Sequence, residues 1–279
     1  MVAYRYDGSF EGFLCCIFES YTKREVPAQI FSDEQAQVSL YPEKWIETDS
    51  GHAERVYVSL SRKISPQARE WIEVGFLSCL PERELILYRF IRMGYSYGAQ
   101  VTNWLADDTV NTLNKAVFAA SHEAHLLTGF LRFSEQNGTL AAIITPKNRV
   151  LPLILEHFSS RFNGETFLIY DKTHHMALVH QPGQDAILPL ENFTLEHPSE
   201  TEQQFRALWK RFYHTIGIEG RFNPKCRMAH MPKRYWENMT EFLDSAFPGS
   251  EASAAEIPLP ASQECLEGTF SQGGPITKN

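Results

Sequence analysis

The chain has 279 residues, 43% of them hydrophobic, including 19 phenylalanines, with a formal net charge of -8 and a pI near 5.7. That length fits one large or two small domains, and the apolar content can fill a core. A chain this acidic is repelled as a whole by nucleic acid or an anionic membrane, and no stretch approaches the roughly 18 to 20 apolar residues of a membrane span.

Val2 to Tyr6 alternates like a short strand, and Asp7-Gly8-Ser9 then turns the chain and can cap a helix. Phe10, Phe13, Leu14, Ile17, Phe18 and Tyr21 follow the i, i+3, i+4, i+7 spacing, which predicts a helix with a broad aromatic face. Residues 51 to 130 read as several helices. Pro66 and Pro81 stand near helix starts, and Asp107-Asp108 caps a helix running to about Leu127. The pattern then changes. Phe130–Phe133 and Leu140–Thr145 flank an Asn137-Gly138 hairpin turn. Val150–Phe162 reads as a helix with Pro152 near its start, and Thr166–Asp171 and Met176–His180 as a second strand pair. Phe205, Leu208, Trp209, Phe212, Tyr213 and Ile216 mark a further amphipathic helix. Arg206, Lys210 and Arg211 fall off that stripe and are expected to face solvent. Asn223-Pro224 breaks the pattern, and Pro232 restarts a helix through Leu243.

The expected fold class is therefore α+β: a single body over residues 1–247, helical over 1–128, α+β over 129–200, and basic and helical over 201–247. Residues 248–279 are rich in Ser, Ala, Gly, Pro and Glu without periodicity and read as a flexible acidic tail. Five scattered cysteines and no CxxC pair suggest reduced thiols and a cytoplasmic setting. The opening MVAYRYDGSF carries no basic-then-apolar signal pattern.

Charge is distributed unevenly. Residues 206 to 234 hold eight cations and one acid, whereas residues 237 to 279 hold seven acids and one lysine. Within the basic island, RFNPKCRMAHMPKRYW places Arg221, Lys225, Arg227, Lys233 and Arg234 in sixteen residues without an acid, closed by Tyr235 and Trp236. Cations suit phosphates and aromatic rings can stack on bases, so contact with an anionic polymer is expected here. A solvated helix face whose cations pair with acids elsewhere is the plainer alternative.

Three blocks carry a family resemblance: YDGSFEGFLCCIFESY at the start; FLRF, VLPLILEHFSSRF and FLIYDKTHHMALVH in the middle; RFNPKCRMAHMPKRYW near the end. Together, over roughly residues 1 to 245, the chain resembles a bacterial DNA-metabolism family carrying domain of unknown function 4130. The resemblance implies a DNA repair or modification context and a radical SAM protein, encoded nearby, as partner. It also implies a relation to domains fused to uracil-DNA glycosylase-like proteins. The family hands over no catalytic residue. The residues that match its closing signature are Arg221, Asn223, Lys225, Arg227, His230, Met231, Pro232, Lys233, Tyr235 and Trp236. With Arg234 added, and without Met231 and Pro232, they are the expected nucleic-acid contacts.

Other constellations are weaker. His122 and His125, three apart on a helix with Glu123 between, share a face but lack further metal ligands, so ordinary surface or packing histidines explain them. Asp171, His174 and His175 lie between two predicted strands and could do acid–base work, or simply supply turn hydrogen bonds. Asp7 and Glu11 fit helix capping, and Cys15 and Cys16 fit buried structural thiols. No GxxxxGK[ST], GxGxxG, GxSxG or zinc-deaminase pattern is present, and no cofactor is expected. The expected function is that of an accessory protein of DNA repair that binds nucleic acid, partners a radical SAM enzyme, avoids membranes and lacks stand-alone activity. A base-excision enzyme resembling uracil-DNA glycosylase and a protein-interaction scaffold are the alternatives.

Overall fold

The computed structural model describes residues 1–33, 39–195, 197–216, 218 and 223–242. The chain divides into two compact units, Met1–Asp244 and Ser245–Asn279. The second lies outside the described residues, and with it the expected tail over 248–279.

The first unit is α+β. Strand β1 (Val2–Tyr6) enters helix α1 (Phe10–Thr22) through a tight turn. Ser9 Oγ accepts from Gly12 N at 2.9 Å, and the Asp7 carboxylate accepts from Ser9 N at 2.9 Å and from Thr48 Oγ1 at 2.8 Å. Gly12 is required under this turn, because a Cβ there would stand 2.3 Å from Asp7 Oδ1. The front also holds strands the sequence pattern did not reveal: β2 (Pro27–Ser32) and β3 (Glu43–Trp45), both parallel to β1, in the order β2-β1-β3. One opens on a proline and the other is only three residues long, so neither shows readable alternation.

Four helices follow: α2 (Ser50–Lys63), α3 (Pro66–Leu77), α4 (Arg83–Tyr97) and α5 (Asp108–Phe130). Asp49, Ser65 and Asp107 cap α2, α3 and α5 with side-chain oxygens on the first-turn N–H groups. Helix α4 has no side-chain cap and starts after Glu82 at φ +49°. Tyr4, Tyr6, Phe13, Ile17, Leu60, Ile72, Leu87 and Phe90 form the first core, each less than 2% exposed or fully buried.

The two expected strand pairs join into one sheet of order β4-β5-β6-β7-β8: β4 (Ser134–Gln136), β5 (Thr139–Ile144), β6 (Phe167–Asp171), β7 (Met176–Gln181) and β8 (Gln184–Pro189). Helix α6 (Leu151–Arg161) makes the crossover between parallel β5 and β6; the other pairings are antiparallel. The Asn137-Gly138 turn forms, with φ +51° and +79°. Its first strand, however, is 134–136 rather than 130–133. Phe130 completes α5, and Phe130, Leu131 and Phe133 pack into a second core with Ile154, Phe158, Phe167 and Leu178. Strand β8 was unforeseen; it is a half-exposed edge with little apolar alternation.

The C-terminal segment contains α7 (Glu200–Thr215), a short helix α8 (Pro224–His230) and two 3-10 turns, Lys233–Asn238 and Thr240–Phe242. Asn223-Pro224 starts a helix rather than merely ending one: Asn223 Oδ1 accepts from Cys226 N, and Pro224 occupies the first turn, where no N–H is needed. The helix expected after Pro232 is replaced by 3-10 turns, with Tyr235 and Met239 inserted into the second core.

Candidate nucleic-acid interface and an Asp–His cleft

The basic run is split between surface and core. Asn223, Lys225, His230 and Lys233 are exposed, and Arg227 is half-buried; Arg221 lies outside the described residues. Trp236 is half-buried, stacks on Phe242 at 4.6 Å between ring centres, and donates from Nε1 to Met231 O at 3.0 Å. The Arg227 guanidinium sits 5.0 Å from the Trp236 ring and 5.5 Å from Phe242, and Lys233 Nζ lies 5.9 Å from Trp236. Cations and aromatic rings thus form one surface layer. His230 Nδ1 lies 2.9 Å from Cys226 O, an intrahelical contact.

Tyr235 and Arg234 have another part in the structure. Tyr235 is 3% exposed, so its ring offers no face to a base. Its hydroxyl donates to Glu123 Oε1 at 3.2 Å, and Arg234 lies 2.9 Å from the same oxygen and also donates to the Tyr235 hydroxyl. Burial pushes the Tyr235 hydroxyl above its ordinary pKa, against the opposing pull of Arg234, so it remains a donor.

Glu123 is the hub of this arrangement and the residue the sequence reading undervalued. It is 2% exposed on α5. Its carboxylate accepts from Lys147 N at 3.1 Å, Asn148 N at 2.8 Å and Asn148 Nδ2 at 2.6 Å, besides Tyr235 and Arg234. Asn148 Oδ1 in turn accepts from Cys79 N at 2.9 Å. One buried acid therefore ties the basic run to the β5–α6 loop and to the loop before α4. The flanking histidines point elsewhere: His122 and His125 are exposed, and His122 stacks on Phe118. Among the described residues no group of three or more His, Cys, Asp and Glu side chains is placed to hold a metal ion.

Helix α7 overturns an expectation. Arg206 is turned inward, 2.8 Å from Glu202 Oε1 and donating to Ser134 Oγ. Trp209 Nε1 donates to Glu241 Oε2 at 3.1 Å, and Tyr213 packs edge-on against Phe242. Of the predicted apolar stripe only Trp209 and Tyr213 meet the body; the rest faces solvent, with Phe205 63%, Leu208 59% and Phe212 51% exposed. Partners on the body decide this rotation. Ser134 and Glu241 require hydrogen-bonding groups, which Arg206 and Trp209 supply. Burial raises the Glu241 pKa, but hydrogen bonds led by Arg132, at 2.7 Å, outweigh it and hold the carboxyl below its ordinary value. A polar hollow of about 310 Å³ lies beside this array, between Arg132, Arg206, His197 and Asn238.

A second cleft, of about 360 Å³, is lined by residues 77–84, Ser32, Arg149 and His174. Here two of the three acid–base candidates meet. Asp171 is 1% exposed; its Oδ2 is 2.6 Å from His174 Nδ1, while Oδ1 accepts from Thr173 N at 3.0 Å and His174 N at 3.2 Å. Holding Nδ1 leaves Nε2 as the ring nitrogen able to act on a ligand. His175 is not part of the pair: it sits at φ +54° and its Nδ1 lies 2.9 Å from Glu191 O. The cleft floor carries a buried ion pair, Arg83 Nε to Glu84 Oε1 at 2.9 Å, with Tyr6 donating to the same carboxylate oxygen at 3.1 Å. No sequence motif announces Arg83, Glu84 or Arg149; only the fold brings them to His174.

No curated protein and no solved structure matches the chain. The family model described as "Domain of unknown function (DUF4130)" matches residues 81–241, more than half of the chain. That span starts at the loop before α4, so the opening block lies outside it. It takes in both sides of the Glu123 hub, the Asp171–His174 pair and the whole described basic run. The chain belongs to the DUF4130 family.

Proposed function

We propose that this protein is an accessory factor of DNA repair or modification that binds nucleic acid and works beside a radical SAM enzyme. The observation that carries the nucleic-acid part is the layer in which Arg227 lies over Trp236 and Phe242 and exposed Lys233 over Trp236, with Lys225 exposed on the same short helix as Arg227, within a chain acidic elsewhere. Arg234, exposed but paired with Glu123, and Arg206, half-buried beside Glu202 and Ser134, are left out of the contact set. The repair context and the radical SAM partner follow from the family resemblance.

The test is the salt dependence of binding to a duplex oligonucleotide. With Lys225, Arg227 and Lys233 on about three phosphates, log affinity falls with log salt at a slope of about -3, from roughly -0.9 per phosphate. Lys225→Ala and Lys233→Ala each lower the slope by about one, with little dependence on sequence. An unchanged slope in both variants removes the nucleic-acid reading.

A second reading is favoured by the Asp171–His174 pair: base excision in the manner of a uracil-DNA glycosylase. His174 Nε2 takes a proton from a water, the water oxygen bonds to C1′, and the base leaves with the electrons of the glycosidic bond. The buried Asp171 carboxylate stabilises the imidazolium that forms. Release of free uracil from an oligonucleotide, lost in His174→Gln, supports this reading; no release by the purified chain removes it.

A further inference from the structure

Helix α7 hydrogen-bonds inward and shows hydrocarbon outward. Its body-facing line is Glu202, Arg206, Trp209 and Tyr213, each with the partners given above. Its outward line is Phe205, Leu208, Phe212 and Ile216, spaced three, four and four residues apart, and 63%, 59%, 51% and 59% exposed. On an α-helix that spacing gives a nearly straight ridge. The rim of Trp209, 38% exposed, extends it. At roughly 150–250 Å² for a full aromatic side chain, the ridge exposes on the order of 600 Å² of apolar surface. Typical monomers keep their largest patch at or below about that size.

The geometry points to a second copy of this chain as the occupant, through an antiparallel pairing of the two α7 helices about a two-fold axis near Leu208. Three observations select it. First, two such ridges together bury on the order of 1,200 Å², which reaches the lower bound of specific interfaces. Second, a two-fold sets Phe205 of one copy opposite Phe212 of the other, so the ridge is complementary to itself. It also sets the exposed Glu200 of the first turn toward the end of the other helix that carries Arg211 and His214, and it opposes the helix dipoles. Third, the free flank of the ridge is mostly neutral: Thr201, Gln204 and Thr215 are exposed there, with Arg211 the cation. A ridge meant for an anionic surface would carry cations along its whole length. This inference goes beyond the proposed function and holds whether or not the basic run binds nucleic acid.

Sedimentation velocity of the full chain, from about 1 to 100 µM, reads the outcome; affinities of interfaces this size vary widely with their central contacts. The expected result is a monomer–dimer equilibrium in that range. Leu208→Glu and Phe212→Glu, each applied twice across the two-fold, weaken the dimer by at least about 100-fold, as for central apolar contacts. Circular dichroism should show their helix content unchanged, since both side chains are exposed. Phe212→Leu keeps the ridge apolar and the dimer intact. A monomer throughout, an association indifferent to Leu208→Glu, open-ended aggregates without a dimer, or a monomer that floats with vesicles of anionic phospholipid would each overturn the proposal.

Discussion

Helices α1 and α7 have the same apolar periodicity and opposite fates. In α1, Phe13, Leu14 and Ile17 are 0–2% exposed, packed under the front sheet. In α7, Phe205, Leu208 and Phe212 are more than half exposed, and the line that meets the body is polar and aromatic. Hydrocarbon holds the front. The C-terminal segment is tied down by polar contacts, Glu123 with Arg234, Arg206 with Ser134 and Glu241 with Arg132, beside Tyr235 and Met239 in the second core. Period 3.6 identifies a helix and its stripe; which stripe faces inward depends on what the body presents. Here the body presents Ser134 and Glu241, and unsatisfied polar groups cost more than exposed hydrocarbon gains.

Four substitutions probe the contrast. Phe13→Ala leaves a cavity in the front core and should cost about 4 kcal/mol, read by denaturant unfolding. A loss below about 1 kcal/mol would show that the front is not held by that ring. Glu123→Ala removes the acceptor of two backbone N–H groups, of Asn148 Nδ2 and of the Tyr235 hydroxyl, at a cost of about 3 kcal/mol. It should also loosen Trp236, so near-ultraviolet dichroism changes with it. Glu241→Gln should cost about 2 kcal/mol at neutral pH, as for a hydrogen bond to a charged group. Because the folded Glu241 pKa lies below its ordinary 4.5, its contribution is present above that value and is lost as pH falls through the folded pKa. The difference between Glu241→Gln and the parent chain should therefore shrink below about pH 4, and a constant difference down to pH 2 would refute the ion-pair account. Leu208→Gln sits at the other end of the scale: within about 0.5 kcal/mol of the parent in monomer stability, as for an exposed position.

Much of the helical framework was legible because its signals are local. Ser65-Pro66 and Asp107 mark helix starts through caps that the fold retains, and Asn137-Gly138 makes the turn that its two positive φ angles require. The α+β class follows from the change of period after Phe130. What stayed hidden depends on distant partners. β2 and β3 are strands because β1 lies between them, not because of their own composition. Glu123 looked like a neighbour of two histidines, whereas its acceptors' partners lie 24 to 112 residues away. At the candidate sites, exposed Lys225 and Lys233 lie with half-buried Arg227 and Trp236, whereas Tyr235 is buried and Arg234, though exposed, is paired with the buried Glu123. Asp171 and His174 meet because a three-residue spacing in a tight turn allows it; Arg83 and Arg149 join their cleft only through tertiary folding.

The front sheet carries a consequence for the order of synthesis. Its central strand is β1, and both neighbours pair with β1 rather than with each other. On a ribosome, Val2–Tyr6 is made before both of its partners: it has no strand neighbour until Pro27–Ser32 appears, and its second edge stays open until Glu43–Trp45 follows. The central apolar strand, with Tyr4 and Tyr6, is therefore incompletely paired until β3 has been made. Parallel pairings of this range close slowly compared with the helices around them. The front sheet is thus most vulnerable to misassociation before β3 is made, and substitutions within Val2–Tyr6 should lower folding yield as well as final stability.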